Sequence, residues 1–203
     1  MPRTKEQFEK IKEERSKSIL KEALWLFSTK GYASTTIDDV AVAANCSHGL
    51  LYHYFPNKEA LFISLMENYV IPKNKEIIAG VDFNQKAKFV MYDLLYAYLE
   101  ALKSSDDEKA CTLYLLLKLR LEAQYIPKPP ITSKRKRIFD WMYDTIERGI
   151  NEGDFIEQNI TESTIAILSM FTGLAFYRIN LGQKKFKCPK PEIIMNSLLK
   201  DRR

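Results

Sequence analysis

Residues 35–61 read TTIDDVAVAANCSHGLLYHYFPNKEAL, two short helices joined by a tight turn with a third helix starting behind them. Ile37, Val40, Ala41 and Ala44 recur at i, i+3, i+4 and i+7, which gives a short helix one apolar face. Thr36 can cap its orphan N–H groups, and Thr36-x-x-Asp39 has the form of a capping box with acid in the first turn. Asn45 stops that helix, because Asn accepts the left-handed conformation that a helix end often needs. Ser47 can cap a second helix from His48 to about Tyr54, with Leu51 and Phe55 pointing inward one turn apart. Pro56-Asn57 breaks it, and Asn57 can cap a third helix beginning at Lys58. Helix, tight turn and short second helix are the parts of a helix-turn-helix.

Working outward, a first helix from about Glu6 to Lys30 turns Ile19, Leu20, Ala23, Leu26 and Phe27 inward and ends at Gly31. The order Phe27…Gly31-Tyr32…Thr35-Thr36-Ile37…Val40-Ala41…Ala44…Ser47-x-Gly49-x-Leu51-Tyr52-x-Tyr54-Phe55…Lys58-Glu59-x-Leu61 resembles the TetR family of bacterial transcription regulators. The resemblance covers about the first 65 residues. It departs at Asn45 and Cys46, where the family usually has Gly and Val; Asn keeps the left-handed turn and Cys is a small buriable side chain.

The resemblance implies an all-α chain of about nine helices: a helix-turn-helix DNA-binding domain over residues 1–60, then a helical bundle for effector binding and dimerisation over residues 61–203. It also implies the site residues. His48, Gly49, Leu50 and Tyr52 correspond to positions facing base edges. Thr36, His53, Tyr54 and Lys58 correspond to phosphate-facing positions, and Ser47 joins them at the start of the reading helix. Thr36 also presents a helix N-terminus, which favours an anion. Tyr52 and Tyr54 can equally pack their rings against neighbouring helices.

Composition fits this reading without locating the site. Hydrophobic residues make up 46% and charged residues 28% of 203, ordinary for a globular protein. Net charge is +5, yet residues 1–58 hold nine Lys/Arg against seven Asp/Glu while residues 184–203 hold seven against two, so charge points as much to the C-terminus as to the head. Cys46, Cys111 and Cys188 are widely spaced with no C-x-x-C, as expected in a reducing cytoplasm without a zinc site. Cys46 reads as a small apolar filler of the turn rather than a redox switch. His48 and His53 lie five residues apart and diverge on a helix, so they form no metal pair. The apolar uncharged run Ser163 to Tyr177 stops at Arg178 and is too short to span a bilayer. No Gly-rich phosphate loop, G-x-S-x-G or paired His/Cys site suggests an enzyme, and no cofactor is implied.

Helix four carries Leu61, Phe62, Leu65, Met66 and Tyr69 until Pro72 kinks or ends it, and would be a lever between the two parts. Further helices fall at about 85–104, 108–124, 132–152, 161–182 and 191–201, with Pro127, Pro129 and Pro130 marking a loop. Met66, Tyr69, Tyr92, Leu95, Tyr96, Leu99, Tyr114, Leu117, Leu121, Trp141, Met142, Met170, Phe171 and Leu174 form aromatic and Met-rich stripes. These make a bundle core or, as family members often do, wall an effector pocket. Helix 161–182 is apolar on most sides and needs partners on more than one of them. With helix 132–152 it resembles the family's dimer surface, through Ile138, Ile146, Ile150, Ile165, Leu168, Thr172 and Phe176. The expected function is a sequence-specific DNA-binding regulator. It would be a cytoplasmic homodimeric repressor, released from a palindromic operator on duplex DNA by a small, largely apolar effector. The alternative is a DNA-binding protein whose bundle takes a protein partner.

Overall fold

The computed structural model describes residues 5–121 and 138–200, with the side chains of residues 120 and 121 left aside. The proline loop at 127–130 and the start of helix 132–152 lie outside the described residues, as does the side chain of Leu121. The described chain is helical: α1 (Lys5–Thr29), α2 (Ile37–Ala43), α3 (His48–Tyr54), α4 (Lys58–Leu65), a π-helical turn (Met66–Val70) and α5 (Ile71–Ile77). Then come α6 (Ala87–Lys103), α7 (Asp107–Leu121), α8 (Ile138–Asn151), α9 (Ile160–Leu181) and α10 (Pro191–Met195). Counting the unbroken run 58–77 as one, that is nine helices among the described residues.

The head forms where local signals place it. Gly31 has φ +90° after α1, and Asn45 has φ +47° between α2 and α3. One side of α1 packs Ile19, Leu20, Ala23, Leu24 and Phe27 in the core shared with α2, α4 and α7. The rings of Phe27, Tyr32 and Phe62 meet edge-on or tilted, with centroids 5.0–5.7 Å apart. The head's core runs past residue 60, through Phe62, Leu65, Met66 and Val70, and takes Cys111 and Leu115 from α7. Head and bundle therefore share packing along the lever.

Pro72 neither ends nor interrupts the lever. The preceding turn widens instead, with the Ile71 N–H donating to the Met66 carbonyl five residues back, and α5 continues beyond the proline. A widened turn has room for a pyrrolidine ring that would otherwise strike the carbonyl one turn earlier.

The second core lies among α6, α7, α8 and α9. Arg178 crosses it, almost wholly buried, donating to the Leu102 and Ser104 carbonyls and to Asp107 Oδ1 at 2.6 Å. A buried guanidinium persists only with its donors matched, and here it closes the α6–α7 turn against α9. At 22 residues α9 is long and apolar enough to cross a bilayer, contrary to the expectation from its longest uncharged run. In the fold, however, it buries one face of Thr164, Ile167, Leu168, Phe171 and Ala175 against its neighbours.

The expected helix 191–201 is shorter. After Met195 the chain turns; the Ile156 N–H donates to the Leu198 carbonyl and the Lys200 N–H to the Asp154 carbonyl, a single antiparallel bridge. These bonds outcompete a further helical turn. Phe155 sits where a Cβ on Gly149 would lie 2.2 Å from its ring, so only glycine fits there.

Candidate nucleic-acid interface

The helix-turn-helix is built from reciprocal caps. Thr36 Oγ1 accepts from the Asp39 N–H at 3.0 Å while Asp39 Oδ2 accepts from the Thr36 N–H at 2.8 Å. Lys30 adds an ion pair to the same oxygen at 2.7 Å, and the lysine bond, followed by those from Thr36, pulls the Asp39 carboxyl down to about 2. The capping box thus occupies the Thr36 and Asp39 N–H groups at the start of α2. Thr36 itself keeps only its hydroxyl proton to offer outward, since its N–H and its hydroxyl oxygen are engaged in the box.

Helix α3 has seven residues, too few to persist alone, and is held at both ends and on one side. Ser47 Oγ accepts from the Leu50 N–H at 3.2 Å, and Leu51 and Phe55 are buried in the head core. Arg15 reaches from α1 to donate to the Asn45 carbonyl at 2.7 Å, fixing the turn from outside. Cys46 is half-buried against the same core, in keeping with a filler of the turn.

The opposite face of α3 remains uncovered. His48, Gly49, Leu50, Tyr52 and His53 are all exposed, Leu50 at 37% and Tyr52 at 49%. A Cβ on Gly49 would meet nothing within 4 Å, so the backbone there is open to close approach. The His48 Nδ1 lies 3.1 Å from Asp38 Oδ1, a contact that the sequence reading missed. Tyr54 is half-buried, its ring edge-on to His53 and tilted against Phe55, so its packing role is real and its outward reach is limited.

Lys58 stands differently from its expected place at a phosphate. Its ammonium donates to the carbonyls of Tyr32, Ala33 and Thr35 at 2.7, 3.2 and 2.9 Å and sits 4.3 Å from the centre of the Tyr32 ring. Three protons meet three acceptors, and burial lowers its pKa from the ordinary lysine value. It is a strut between α4 and the turn after α1.

The residues expected around an effector do not share one wall. Met66 is in the head core; Leu95, Leu99, Leu117, Met142 and Phe171 are buried in the bundle core, with Tyr114, Trp141, Met170 and Leu174 packed at its edge. Tyr92 and Tyr96 face outward from α6, their rings parallel at 6.5 Å. Tyr69 donates to Glu108 at the lever. An open cleft of about 660 Å³ between α5 and α6 includes Tyr96 alone of this set, beside Glu76, Asp93, Glu100, Lys103 and Lys109. Periodicity missed three interior polar side chains, Asn74, Tyr98 and Thr112, all of them buried. No spacing rule marks such residues, since burial depends on how neighbouring helices pack and not on the local pattern.

Of the expected dimer residues, Ile146 and Leu168 are buried inside the subunit, and Ile138 and Ile150 pack at the core's edge. Thr172 is half-buried, its hydroxyl donating to the Leu168 carbonyl at 2.8 Å. Ile165 and Phe176 do point outward along one stripe, at 51% and 48% exposure, and Tyr177 and Leu181 are exposed on the adjoining side of the helix.

Residues 19–65 match the family of bacterial regulatory proteins, tetR family. The N-terminal head belongs to the TetR family. Over 56 residues the chain is 45% identical to the uncharacterized HTH-type transcriptional regulator YuxN of Bacillus subtilis, a match covering 28% of this chain and 19% of that protein. It is 25% identical over 171 residues to IcaR of Staphylococcus epidermidis, the HTH-type negative transcriptional regulator of the biofilm operon icaADBC, covering 82% of this chain and 84% of IcaR. Its fold resembles that of AibR, solved in complex with isovaleryl coenzyme A and operator DNA, with a TM-score of 0.65 at 18% identity over 90% of this chain and 94% of AibR. The TetR-family head thus stands on a bundle of matching fold.

Proposed function

We propose that the protein is a cytoplasmic, homodimeric, sequence-specific DNA-binding repressor whose affinity for a palindromic operator is lowered by a small, largely apolar effector. Residues 1–60 read the DNA, and residues 61–203 bind the effector and the second subunit. One observation carries the reading: the face of α3 formed by His48, Gly49, Leu50, Tyr52 and His53 is exposed on a helix that is capped at its start and anchored by the buried Leu51. A short exposed helix with varied small, apolar and hydrogen-bonding side chains suits a major groove. The apolar outer stripe of α9 supports pairing with a second copy, and two-fold pairing presents two reading heads to an inverted repeat.

The buried polar side chains of Asn74, Tyr98 and Thr112 support an interior ligand with polar points on an apolar body. The run α4–π turn–α5 is the element that would carry its binding to the head. Glu108 at the start of α7 joins Tyr69 of the π turn, Lys73 of α5 and Lys21 of α1. Burial opposes its charge, but the bonds from Tyr69 and Lys21 prevail and hold its pKa below the ordinary value.

Selection of bound sequences from random duplex DNA tests the DNA claim. One inverted repeat is expected, and no enrichment by folded dimer removes the reading. The close packing of Leu95, Leu99, Met142 and Phe171 favours a second reading, in which the bundle takes a protein partner. A ligand library screened for release of the selected duplex separates the two, since a protein-gated regulator responds to none of its members.

A further inference from the structure

Between Gly31 and Asn57 the chain has no Lys or Arg, and its acids there are Asp38 and Asp39. The helix-turn-helix that would meet a polyanion therefore carries no permanent positive side chain of its own. The cations around it are engaged in the fold. Lys30 pairs with Asp39 at 2.7 Å, and Lys58 of α4 donates to three backbone carbonyls. Arg15 reaches the turn from α1 and donates to the Asn45 carbonyl. What the exposed part of α3 offers instead are His48 and His53, the two histidines of the chain. Imidazole is the side chain that ordinarily changes charge between pH 5 and 8.

We propose that DNA binding by this head is coupled to proton uptake by His48 and His53, so that affinity for duplex DNA rises as pH falls through the neutral range. A neutral imidazole brings no charge to the phosphates, whereas an imidazolium brings one and donates from both nitrogens. A ring beside a dense row of phosphates therefore holds its proton more firmly than the same ring in water. By linkage, the state that holds more protons gains as pH falls, and here that state is the complex. The argument is the same for either neutral tautomer, because it concerns only the charge gained. It rests on the head binding DNA through α3.

The charged groups around the two rings are few. His48 faces Asp38 of α2, with Nδ1 3.1 Å from Oδ1, and Arg15 stands at the turn between the helices. His53 has the Tyr54 ring edge-on at 5.7 Å, and among the described residues no carboxylate pairs with it. Carboxylates, phenols and guanidinium groups ordinarily keep one charge from about pH 6 to about pH 7.5. A change in affinity across that window belongs to the imidazoles.

The test uses the full-length protein and a duplex that it selects from random sequences at about pH 6. Fluorescence anisotropy gives its affinity at about pH 6 and about pH 7.5, at one ionic strength, beside that of the double variant His48→Gln/His53→Gln. From the higher to the lower pH the unsubstituted protein should gain roughly tenfold in affinity and the variant less than about twofold. The proposal stands if the two gains differ by about threefold or more, and falls if they do not. Where the variant binds too weakly to measure, titration calorimetry of the unsubstituted protein at about pH 6.5, in two buffers of different ionisation heat, decides. Uptake of more than roughly half a proton per subunit is expected, and a smaller uptake overturns the proposal. The α-amino group does not confuse that reading, being already protonated at this pH. Equal affinity at both pH values overturns the proton coupling alone, whereas failure to bind any duplex at either pH overturns the DNA-reading function beneath it as well.

Discussion

The Lys58 ammonium lies 2.7 Å from the carbonyl oxygen of Tyr32 and 4.3 Å from the centre of the same residue's ring. A charge that satisfies backbone carbonyls and an aromatic face together is spent on the fold. Lys58→Met keeps the stem and removes the donors. It should lower stability to denaturant by about 1–3 kcal/mol. The slope of log affinity for duplex DNA against log salt should stay unchanged; a slope smaller by nearly one unit would instead mark a phosphate contact.

Arg178 links α9 to the α6–α7 turn through three acceptors. Replacing it by Met leaves the Leu102 and Ser104 carbonyls without their donor, at a cost of about 1–3 kcal/mol each. Asp107→Asn should cost much less, because that carboxylate is 61% exposed. Urea unfolding followed by circular dichroism ranks the two, and equal effects would refute the carbonyl-based account.

Asp39 gives the head an acid limb. Its carboxyl is held down at about 2 by the Lys30 bond and then by Thr36, below its ordinary 3.8. A depressed carboxyl contributes stability above its unfolded pKa and loses it as pH falls through the folded one. The thermal midpoint should therefore fall between about pH 4 and pH 2. Asp39→Asn should flatten that limb while lowering the midpoint at neutral pH, and an unflattened limb would assign it to other groups.

Glu108 gathers Tyr69, Lys73 and Lys21 where lever, bundle and head meet. Glu108→Gln should leave effector-free operator affinity within about threefold but reduce the effector's power to lower it, since coupling is a free energy between sites. Fluorescence anisotropy with and without effector reads both quantities. Full retention of coupling would exclude this node.

Ile165→Glu combined with Phe176→Glu should halve the sedimenting mass without loss of helical circular dichroism, because both side chains are exposed within the subunit. An unchanged mass would move the dimer surface off this face of α9.

Some of this protein was legible from residues alone, and the head most of all. Thr36, Asn45, Ser47 and Asn57 act within four residues of their own positions, so caps and turn conformations follow from local chemistry. The apolar spacing of α1, α2 and α3 likewise decided which sides turn inward. What tertiary structure alone decided was the partner of each long or ambiguous side chain. Lys58 reaches the backbone around Tyr32, Arg178 reaches Leu102, and His48 meets Asp38, each across a separation that no local pattern encodes. The same holds for apolar residues on α6 and α9, where one spacing yields buried Leu99 and exposed Tyr96, or buried Phe171 and exposed Phe176. Periodicity states that a helix has an apolar side; only the packing of neighbouring helices decides which part of that side is covered.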